Sequence, residues 1–390
     1  MRCRILFLLA LMAAADLATA ATWTVRKDGT GDFAIIQEAL NVAASGDTVL
    51  IGPGEYLERY QIPGETVGME ACAYVPVSEI TIIGAGSDQT LIGPQTYMGA
   101  WNGMPSPFAL TAMQNAVLHV KGVNLRNCHS GIELLGKLYL DNSVVSQNKH
   151  GVGWVPTGAG GWIKNTRIDG YVPADPMGLY IVGDYMPAGT ACDILVEDCQ
   201  IEHAMSTMGD INGISFRRCS FDRAGVGLQF YYDSRGFLED CTMSNMAVGA
   251  IELTMGSGAV CEITRSEIAG SQGALLSAQP GGRFIIHDSR LEGGAYATLI
   301  MGQGSGAWTV SNCDLIKGSG PTVRCEDGTV ATHDLRNNYW GTTDDATIQS
   351  WIIDHSDDPN IGATVLYSPF AGQSVPTESA SWGDLKALFR

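Results

Sequence analysis

Apolar and polar residues recur along residues 140–316 in a pattern with a period of roughly 20 to 25 residues, the length of one supersecondary unit in a repeat protein. Each repeat has an apolar residue, two mostly polar residues, a small residue, a variable residue and a second apolar residue, as in VEDCQI (196–201) and LEDCTM (238–243). The small residues, here called the anchors, follow one another at nearly constant spacing, apart from one longer gap between Thr166 and Cys199. The anchors are Ser143, Thr166, Cys199, Cys219, Cys241, Ser266, Ser289 and Cys313, and Asn338 extends the series.

A fixed period of this length is typical of a solenoid, a propeller or a helical array. The leucine-rich pattern and the WD signature are both absent, and helical repeats would not tolerate this much glycine. A parallel β-helix remains, in which each coil consists of two or three short strands that pair with the next coil about 4.8 Å away. Most coils carry a second short strand that follows a glycine, as in GVGLQFY (225–231). The pattern therefore predicts an all-β chain that forms a single parallel β-helix.

The register of such a barrel places the anchors, and the residues two positions after them, inside. Cys199, Cys219 and Cys241 would then stack in one buried column. We expect these three thiols to be reduced and to pack as small apolar side chains. A disulfide between Cys192 and Cys261 is the alternative use of cysteine that the sequence leaves open.

Both ends of the barrel carry segments that suit caps. An amphipathic helix at 33–44, with Asp32 as its N-cap, would cover the first coil. A short helix at 344–354 and an edge strand at 365–370 would close the other end. The segment at 373–390 is predicted to be a linker and a short amphipathic tail that a docking or sorting partner reads, or else a helix packed on the barrel.

Composition agrees with this fold and excludes several partners. Glycine accounts for 48 of the 390 residues, and only 16% of the residues are charged. The net charge of −18 opposes binding to nucleic acid and to anionic membranes. It also opposes binding to polyanionic sugars unless Ca²⁺ or a local basic patch intervenes. No apolar stretch reaches the roughly 20 residues of a membrane span, so no membrane insertion is expected.

The segment 1–20 has the pattern of an export signal. Two arginines precede a short apolar run, and an Ala-Thr-Ala tripeptide ends at Ala20. Cleavage after Ala20 would leave a mature chain that begins at Ala21 and is secreted, periplasmic or extracellular. The predicted organisation is therefore a signal peptide at 1–20, a β-helix at 21–372 and a tail at 373–390.

Several segments match a family of exported proteins. VRKDGTGDFAIIQEALNVAASGDTVLIGPGEYLE (25–58) resembles the N-terminal cap and first coil of pectinesterases and related secreted β-helix proteins, and ITIIGAGSDQTLI (80–92) is similar to their next coil. NNYWG (337–341), followed by VLYSPF (365–370), resembles the closing coil of bacterial right-handed β-helix repeat proteins. The resemblance implies a right-handed barrel over 22–370 and an exported protein.

The resemblance transfers no catalytic residue, because it rests on motifs of the scaffold. The strings DFIFG and LGRPW of pectinesterases, WIDH of pectate lyases, DPHD of alginate epimerases and GHG of polygalacturonases do not occur. A GxGxxA string at 29–34 matches a dinucleotide-site pattern, but no βαβ alternation follows it. We therefore expect no nucleotide cofactor.

One cluster of acidic residues is a candidate site. Asp169, Glu202 and Asp222 occupy the outward position three residues after successive anchors, and His203 and Arg223 follow two of them. Stacked like charges should raise the pKa of at least one of these carboxyls. The cluster could perform acid/base catalysis or bind Ca²⁺ through oxygen ligands. The alternative is a solvated acidic face that neighbouring arginines neutralise.

Aromatic residues in the irregular segments could stack on sugar rings, or could only cover the edges of the coils. The candidates for sugar binding are Tyr171, Tyr185, Trp101 and Trp154. With the insertion at 171–192 beside the acidic cluster, they favour a secreted polysaccharide lyase, hydrolase or epimerase with a cleft on the barrel wall. The alternative is a non-catalytic binding, adhesion or cell-envelope module. In either case the expected partner is a polysaccharide or a cell-surface glycan.

Overall fold

The repeats fold into coils of three short strands, and the strands of successive coils stack into three parallel sheets. Sheet A contains the strand before each anchor, sheet B the strand after it, and sheet C the strand that completes the coil. The computed structural model describes residues 20–65, 68–97, 107–171, 176–183, 190–254 and 258–374. Within these residues the prediction of an all-β parallel β-helix is confirmed.

The three sheets run the length of the barrel. Sheet A contains Thr22–Val25, Thr48–Ile51, Glu79–Gly84, Ala116–Lys121, Ser130–Asp141, Trp162–Lys164, Ala191–Glu197, Asn212–Arg217, Arg235–Glu239, Val260–Thr264, Arg283–His287, Thr309–Ser311, Thr332–Asp334 and Thr364–Leu366. Sheet B contains Gly54–Tyr56, Thr90–Ile92, Asn124–Arg126, Val144–Asn148, Arg167–Gly170, Gln200–Glu202, Ser220–Asp222, Thr242–Ser244, Glu267–Ser271, Arg290–Gly294 and Asp314–Ile316. Sheet C contains Glu70–Val75, Phe108–Ala112, Ser130–Asp141, His150–Pro156, Met177–Val182, Met205–Gly209, Val226–Tyr231, Gly249–Thr254, Ala274–Ala278, Ala297–Met301, Val323–Cys325 and Ile352–Ile353, with Tyr60–Gln61 antiparallel at its edge. The long strand Ser130–Asp141 belongs to both A and C and joins them into one 26-stranded sheet.

The anchors are buried, and their side chains explain why they are Ser, Thr or Cys. Each of the eight anchors from Ser143 to Cys313 donates its hydroxyl or thiol hydrogen to the carbonyl oxygen two residues earlier, over 2.7 to 3.4 Å. That carbonyl belongs to the last residue of the strand in sheet A. A small side chain with one donor therefore satisfies a carbonyl at the point where the chain turns from sheet A into sheet B.

The residue before each anchor has left-handed backbone geometry. Its φ lies between 44° and 64° throughout the series. These corner residues are Asn142, Asn165, Asp198, Arg218, Asp240, Arg265, Asp288, Asn312 and Asn337. Asn and Asp tolerate this conformation better than most residues, which explains why they hold seven of these nine corners.

The cysteine column forms as predicted. Cys199, Cys219 and Cys241 are buried, with at most 2% of each exposed, and all nine cysteines of the described residues are free thiols. The alternative disulfide is wrong, because Cys261 aligns with Ile194 rather than with Cys192 and lies three strands away from it, about 14 Å. The α-carbons of a disulfide lie within about 7 Å of each other.

The N-terminal cap is a shorter helix than predicted, Ile36–Val42. Asp32 is not its N-cap; it accepts hydrogen bonds from Thr24 N and Thr24 Oγ1 instead. The side chain of Gln37 closes the exposed edge of sheet C, since its Oε1 accepts from Tyr74 N at 2.8 Å and its Nε2 donates to Tyr74 O at 2.9 Å. One amide side chain thus pairs with the edge strand as a further strand would.

The C-terminal cap begins with the helix Asp345–Gln349, whose N-cap Asp344 accepts from Thr347 N at 2.9 Å. The predicted edge strand is shorter than expected and covers Thr364–Leu366. Neither helix of the described residues combines the length and the apolar content that crossing a membrane requires. The predicted tail beyond residue 374 lies outside the described residues.

The described part of the insertion at 171–192 lies within the barrel. It contains Met177–Val182, which is a strand of sheet C paired with His150–Pro156 on one side and Met205–Gly209 on the other. The longer gap between the anchors Thr166 and Cys199 therefore still contains the strand that completes one coil. Residues 172–175 and 184–189 of the insertion lie outside the described residues.

Candidate functional site

The acidic cluster has the predicted register. Asp169 pairs with Glu202, and Glu202 with Asp222, on three successive strands of sheet B. His203 and Arg223 follow at the corner between sheets B and C, with left-handed φ values of 54° and 56°. The structure therefore brings together all five residues that the sequence placed in this cluster.

Arginines balance the carboxylates of this cluster. Arg167 Nη2 lies 2.8 Å from Asp169 Oδ2 and 3.2 Å from Glu202 Oε2. Arg223 Nη2 lies 3.3 Å from Glu202 Oε1, and Arg223 Nε lies 2.8 Å from Asp222 Oδ2. Each carboxylate thus contacts a guanidinium, as expected for a solvated face with internal ion pairs.

The expected rise in carboxyl pKa does not occur at Asp222. Burial raises its pKa, but hydrogen bonds from Asn245 Nδ2 and Ser244 Oγ, together with the charge of Arg223, hold the pKa below its ordinary value. At Asp222 these donors therefore outweigh the repulsion between the like charges of sheet B.

Asp169, Glu202 and His203 are the one group in the described residues that could hold a metal ion, with ligand atoms within 4.8 Å of one another. His203 Nδ1 lies 3.0 Å from Asp169 Oδ1. Since both carboxylates already contact Arg167, a cation here would compete with a bound guanidinium. Ca²⁺ binding remains a prediction for this cluster.

The predicted sugar-binding aromatics are not one surface. Trp154 is wrong as a candidate, because it is fully buried and its Nε1 donates to Gly136 O inside the barrel. Tyr171 is half-buried and stacks on Tyr97, with ring centroids 4.0 Å apart. Trp101 and Tyr185 lie outside the described residues.

A different site lies on the outer face of sheet C, near the N-terminal end of the barrel. It is an open groove of about 740 Å³. The residues of its lining used below are Phe108, His129, Glu133, His150, Tyr180 and Glu65. None of these six residues is among the site candidates predicted from the sequence.

Four aromatic rings form a ladder along one side of this groove, one from each of four successive coils. The ring centroids of Phe108 and His129 are 6.3 Å apart, those of His129 and His150 are 4.8 Å apart, and those of His150 and Tyr180 are 6.5 Å apart. Tyr180 is 37% exposed, while the two histidines are half-buried. The ladder offers a long ligand a row of apolar and hydrogen-bonding surfaces parallel to the barrel axis.

Glu133 provides a carboxyl group in the same groove. Its side chain is half-buried, and its Oε2 accepts a hydrogen bond from Ser130 Oγ at 2.9 Å. The absence of a side chain at Gly153 makes room for it, because a Cβ there would lie 2.5 Å from Glu133 Oε2. Burial raises the pKa of Glu133 above its ordinary value.

The two histidines are neutral at physiological pH. Burial lowers the pKa of His150 to about 4, with further contributions from the charges of His129 and Lys149. Burial and Lys149 also lower the pKa of His129. The groove thus combines a carboxyl that holds its proton to higher pH than usual with imidazoles that are free to accept one.

One signal in the sequence could have revealed the groove. His129 and His150 are two of only seven histidines, and their separation is close to the period of the anchors, so they lie one coil apart. The anchor series begins at Ser143, so the pattern did not extend to the register of the earlier coils. Glu133 gives no such signal, because its role depends on packing against Gly153.

Comparisons with known proteins support the fold and leave the chemistry open. Residues 178–315 match the family model described as a right handed beta helix region. The A-module of the mannuronan C-5 epimerase AlgE4 from Azotobacter vinelandii superimposes with a TM-score of 0.53 at 11% identity, over 87% of this chain and 95% of that chain. A pectin methylesterase from carrot aligns with a TM-score of 0.30 at 12% identity, over 89% of this chain and 88% of that one, too distant to support an argument. No curated protein matches the sequence. The chain is a right-handed parallel β-helix protein.

Proposed function

We propose that this protein modifies a polysaccharide in the groove of sheet C, by moving a proton at the carbon next to the carboxylate of an acidic sugar. A lyase and an epimerase both begin with this step. The observation that carries the proposal is the presence of a half-buried carboxyl with a raised pKa, Glu133, and a neutral imidazole, His150, in one open groove.

The two groups would have complementary roles. His150, neutral above pH about 4, would accept the proton from carbon. Glu133 in its protonated form would donate a hydrogen bond to the carboxylate of the sugar and so reduce the negative charge that develops there. Because Glu133 is half-buried, this hydrogen bond would form in a region of lower polarity than water, where it is stronger.

The same groove is less suited to glycoside hydrolysis. That reaction generally uses two carboxyl groups on either side of the bond that breaks, about 5 to 10 Å apart. The second carboxyl of the groove lining, Glu65, is exposed to solvent, whereas Glu133 is half-buried. Proton transfer at carbon is therefore the chemistry we favour.

A polysaccharide is the substrate class that the groove supports. The ring ladder from Phe108 to Tyr180 extends across four coils, which suits a chain of sugar rings rather than a single small molecule. The fold is also that of a module from an enzyme named for its action on mannuronan. Secretion, which the N-terminal pattern predicts, would place the protein where such polymers occur.

The test is an exchange assay with the chain from Ala21 onward. The protein is incubated in D₂O with acidic polysaccharides such as mannuronan, with neutral glycans as controls, and deuterium incorporation and chain cleavage are followed by NMR. We expect exchange with an acidic polymer, a loss of at least tenfold in Glu133→Leu and His150→Phe, and parent-like rates in Glu202→Gln.

The other outcomes separate the alternatives. Loss of exchange in Glu202→Gln with normal rates in Glu133→Leu would place the site at the acidic cluster instead. Glycan binding without exchange or cleavage, in the parent and in every variant, would identify a non-catalytic binding module. No binding to any glycan would overturn the proposal as a whole.

A further inference from the structure

The barrel begins at the residue that the processing pattern predicts to be the first of the mature chain. Ala21 O accepts a hydrogen bond from Thr48 N at 2.8 Å, and Thr22–Val25 then pairs with Thr48–Ile51 along its whole length. Ala20, on the other side of the predicted cleavage point, is exposed. The boundary between exposed chain and barrel therefore lies at the Ala20–Ala21 peptide bond.

A buried carboxylate lies at this boundary. Asp47 is 5% exposed, and its Oδ1 accepts from Ala21 N at 2.7 Å. Its Oδ2 accepts from Trp23 Nε1 at 3.0 Å and from Ala44 N at 2.8 Å. Hydrogen bonds from Ala44 N and Trp23 Nε1 hold the pKa of Asp47 below its ordinary value, so the carboxylate is charged at neutral pH.

The partners of Asp47 in the intact chain are all neutral donors. Among the described ion pairs, no lysine, arginine or histidine lies within 4.0 Å of it. A carboxylate this buried is usually paired with a cation, because burial without one is costly. The one atom in contact with Asp47 that can become a cation is the nitrogen of Ala21.

We infer that Asp47 is a binding site for the α-ammonium group that processing creates at Ala21. Hydrolysis of the Ala20–Ala21 amide by a signal peptidase adds water across the bond. Ala20 leaves with the new carboxylate, and Ala21 keeps its nitrogen, which takes up a proton. The amide donor at 2.7 Å from Asp47 thereby becomes a full positive charge. An ion pair between the Ala21 α-ammonium group and Asp47 thus stabilises the first strand of the mature barrel, and the precursor lacks this ion pair.

The ion pair has a defined pH dependence. An α-amino group ordinarily titrates near pH 7.7 to 8.0, and contact with a carboxylate raises its pKa. The stabilisation is therefore complete below about pH 7.7 and is lost as the pH rises through the raised value. The other titratable groups on the surrounding elements are Glu38, which is exposed, and Glu79, whose carboxylate pairs with His119.

The experiment compares two chains that differ only at the N-terminus. One begins at Ala21, and the other begins at Leu17, so that Ala21 N remains a neutral amide. We expect the chain that begins at Ala21 to melt at least about 1 °C higher at pH 6, a shift that corresponds to roughly 1 kcal/mol in a protein of this size. The difference should shrink above pH 9, and Asp47→Asn should abolish it.

Three results would overturn the inference: equal melting temperatures at pH 6, a difference that does not depend on pH, or one that persists in Asp47→Asn. If Asp47→Asn does not fold, the pH dependence of the two native chains decides alone. Mass spectrometry of the exported protein gives a second, separate check, because a mature chain that begins anywhere other than Ala21 excludes the ion pair.

Discussion

The carboxyl group of Glu133 occupies the space that a side chain at Gly153 would fill on the next coil. A Cβ at position 153 would lie 2.5 Å from Glu133 Oε2, and the nearest atoms around it all belong to Glu133. Because Gly153 has no side chain, the carboxyl of Glu133 on the neighbouring strand can pack against the barrel wall, where burial raises its pKa.

The variant Gly153→Ala should therefore change the pKa of Glu133 and the rate of exchange, but hardly the stability of the protein. The group that must move is the flexible end of a side chain, so we expect the free energy of unfolding to change by less than about 1 kcal/mol. The pKa of Glu133 should fall as its carboxyl moves towards water, and exchange into the glycan should be lost. An NMR titration of labelled glutamate and a thermal melt measure the two effects. Gly158→Ala is the control, since nothing lies within 4 Å of a Cβ there; equal effects of both variants would contradict the role of Gly153.

The proposed proton transfer has a predictable pH profile. The rate should rise with pH near 4, where His150 loses its proton, and fall again above the raised pKa of Glu133, since the protonated acid is the active form. The optimum should therefore be acidic, and Glu133→Gln should remove the falling limb from whatever activity remains. Initial rates measured across the acidic to neutral range test this. A rate that stays constant well above neutral pH would contradict the role of Glu133.

The edge of sheet C should depend on one side chain of the capping helix. Gln37→Leu leaves Tyr74 N and Tyr74 O without their partners, and we expect it to lower the free energy of unfolding by about 2 kcal/mol. Denaturant unfolding measures the change, with the exposed neighbour Glu38→Gln as the control. A loss below about 0.5 kcal/mol would show that water replaces the amide without cost.

Acid should destabilise the barrel through His333. This side chain is fully buried, its Nδ1 accepts from Trp308 N at 3.2 Å, and burial lowers its pKa to about 4. The unfolded chain takes up the proton first, so stability is lost as the pH falls from about 6.5 to about 4, by up to roughly 3 kcal/mol. His333→Gln keeps an acceptor and does not titrate. It should lose correspondingly less stability over the same range, and an identical loss in both proteins would exclude this histidine as the cause.

The anchor positions should tolerate the substitution of one small hydrogen-bond donor for another. Cys219→Ser retains a hydrogen for Arg217 O, the bond that Ser266 and Ser289 make in later coils, whereas Cys219→Ala does not. We expect thermal melting to rank the serine variant above the alanine variant. Thiol titration should find the cysteines of the folded parent unreactive, because all nine are buried, and all of them reactive after denaturation without reductant. At Cys313 burial also raises the pKa of the thiol to about 12. Reactive thiols in the folded state would contradict the buried column.

The sequence predicted the barrel well because each coil repeats the same local requirement. A small donor after a left-handed corner can be recognised without any knowledge of the neighbouring coils, and Cys199, Cys219 and Cys241 lie where this pattern put them. The acidic cluster was located for the same reason, since register alone determines its alignment.

The groove was harder to predict, because it depends on the absence of a side chain at Gly153 and on the partial burial of Glu133. Trp154 was a sugar-binding candidate as an aromatic residue of an irregular segment, yet it belongs to the strand His150–Pro156 and its side chain lies in the core. Glu133 has an unusual pKa only because of Gly153 and its half-buried setting, and both are consequences of packing. Asp222 shows the reverse case, in which donors from the next coil cancel the expected repulsion.

The bond from each of the eight anchors to the carbonyl two residues earlier forms within a single coil, so a coil keeps this corner when its neighbours change. Excision of residues 219–240 would join Arg218 to Cys241 and would preserve both the left-handed corner and its donor. Gene duplication or loss of one such segment would lengthen or shorten the barrel without a change of register. The length of this molecule is thus free to evolve in whole turns, whereas the insertion of a single residue within a strand would reverse every side chain after it up to the next corner.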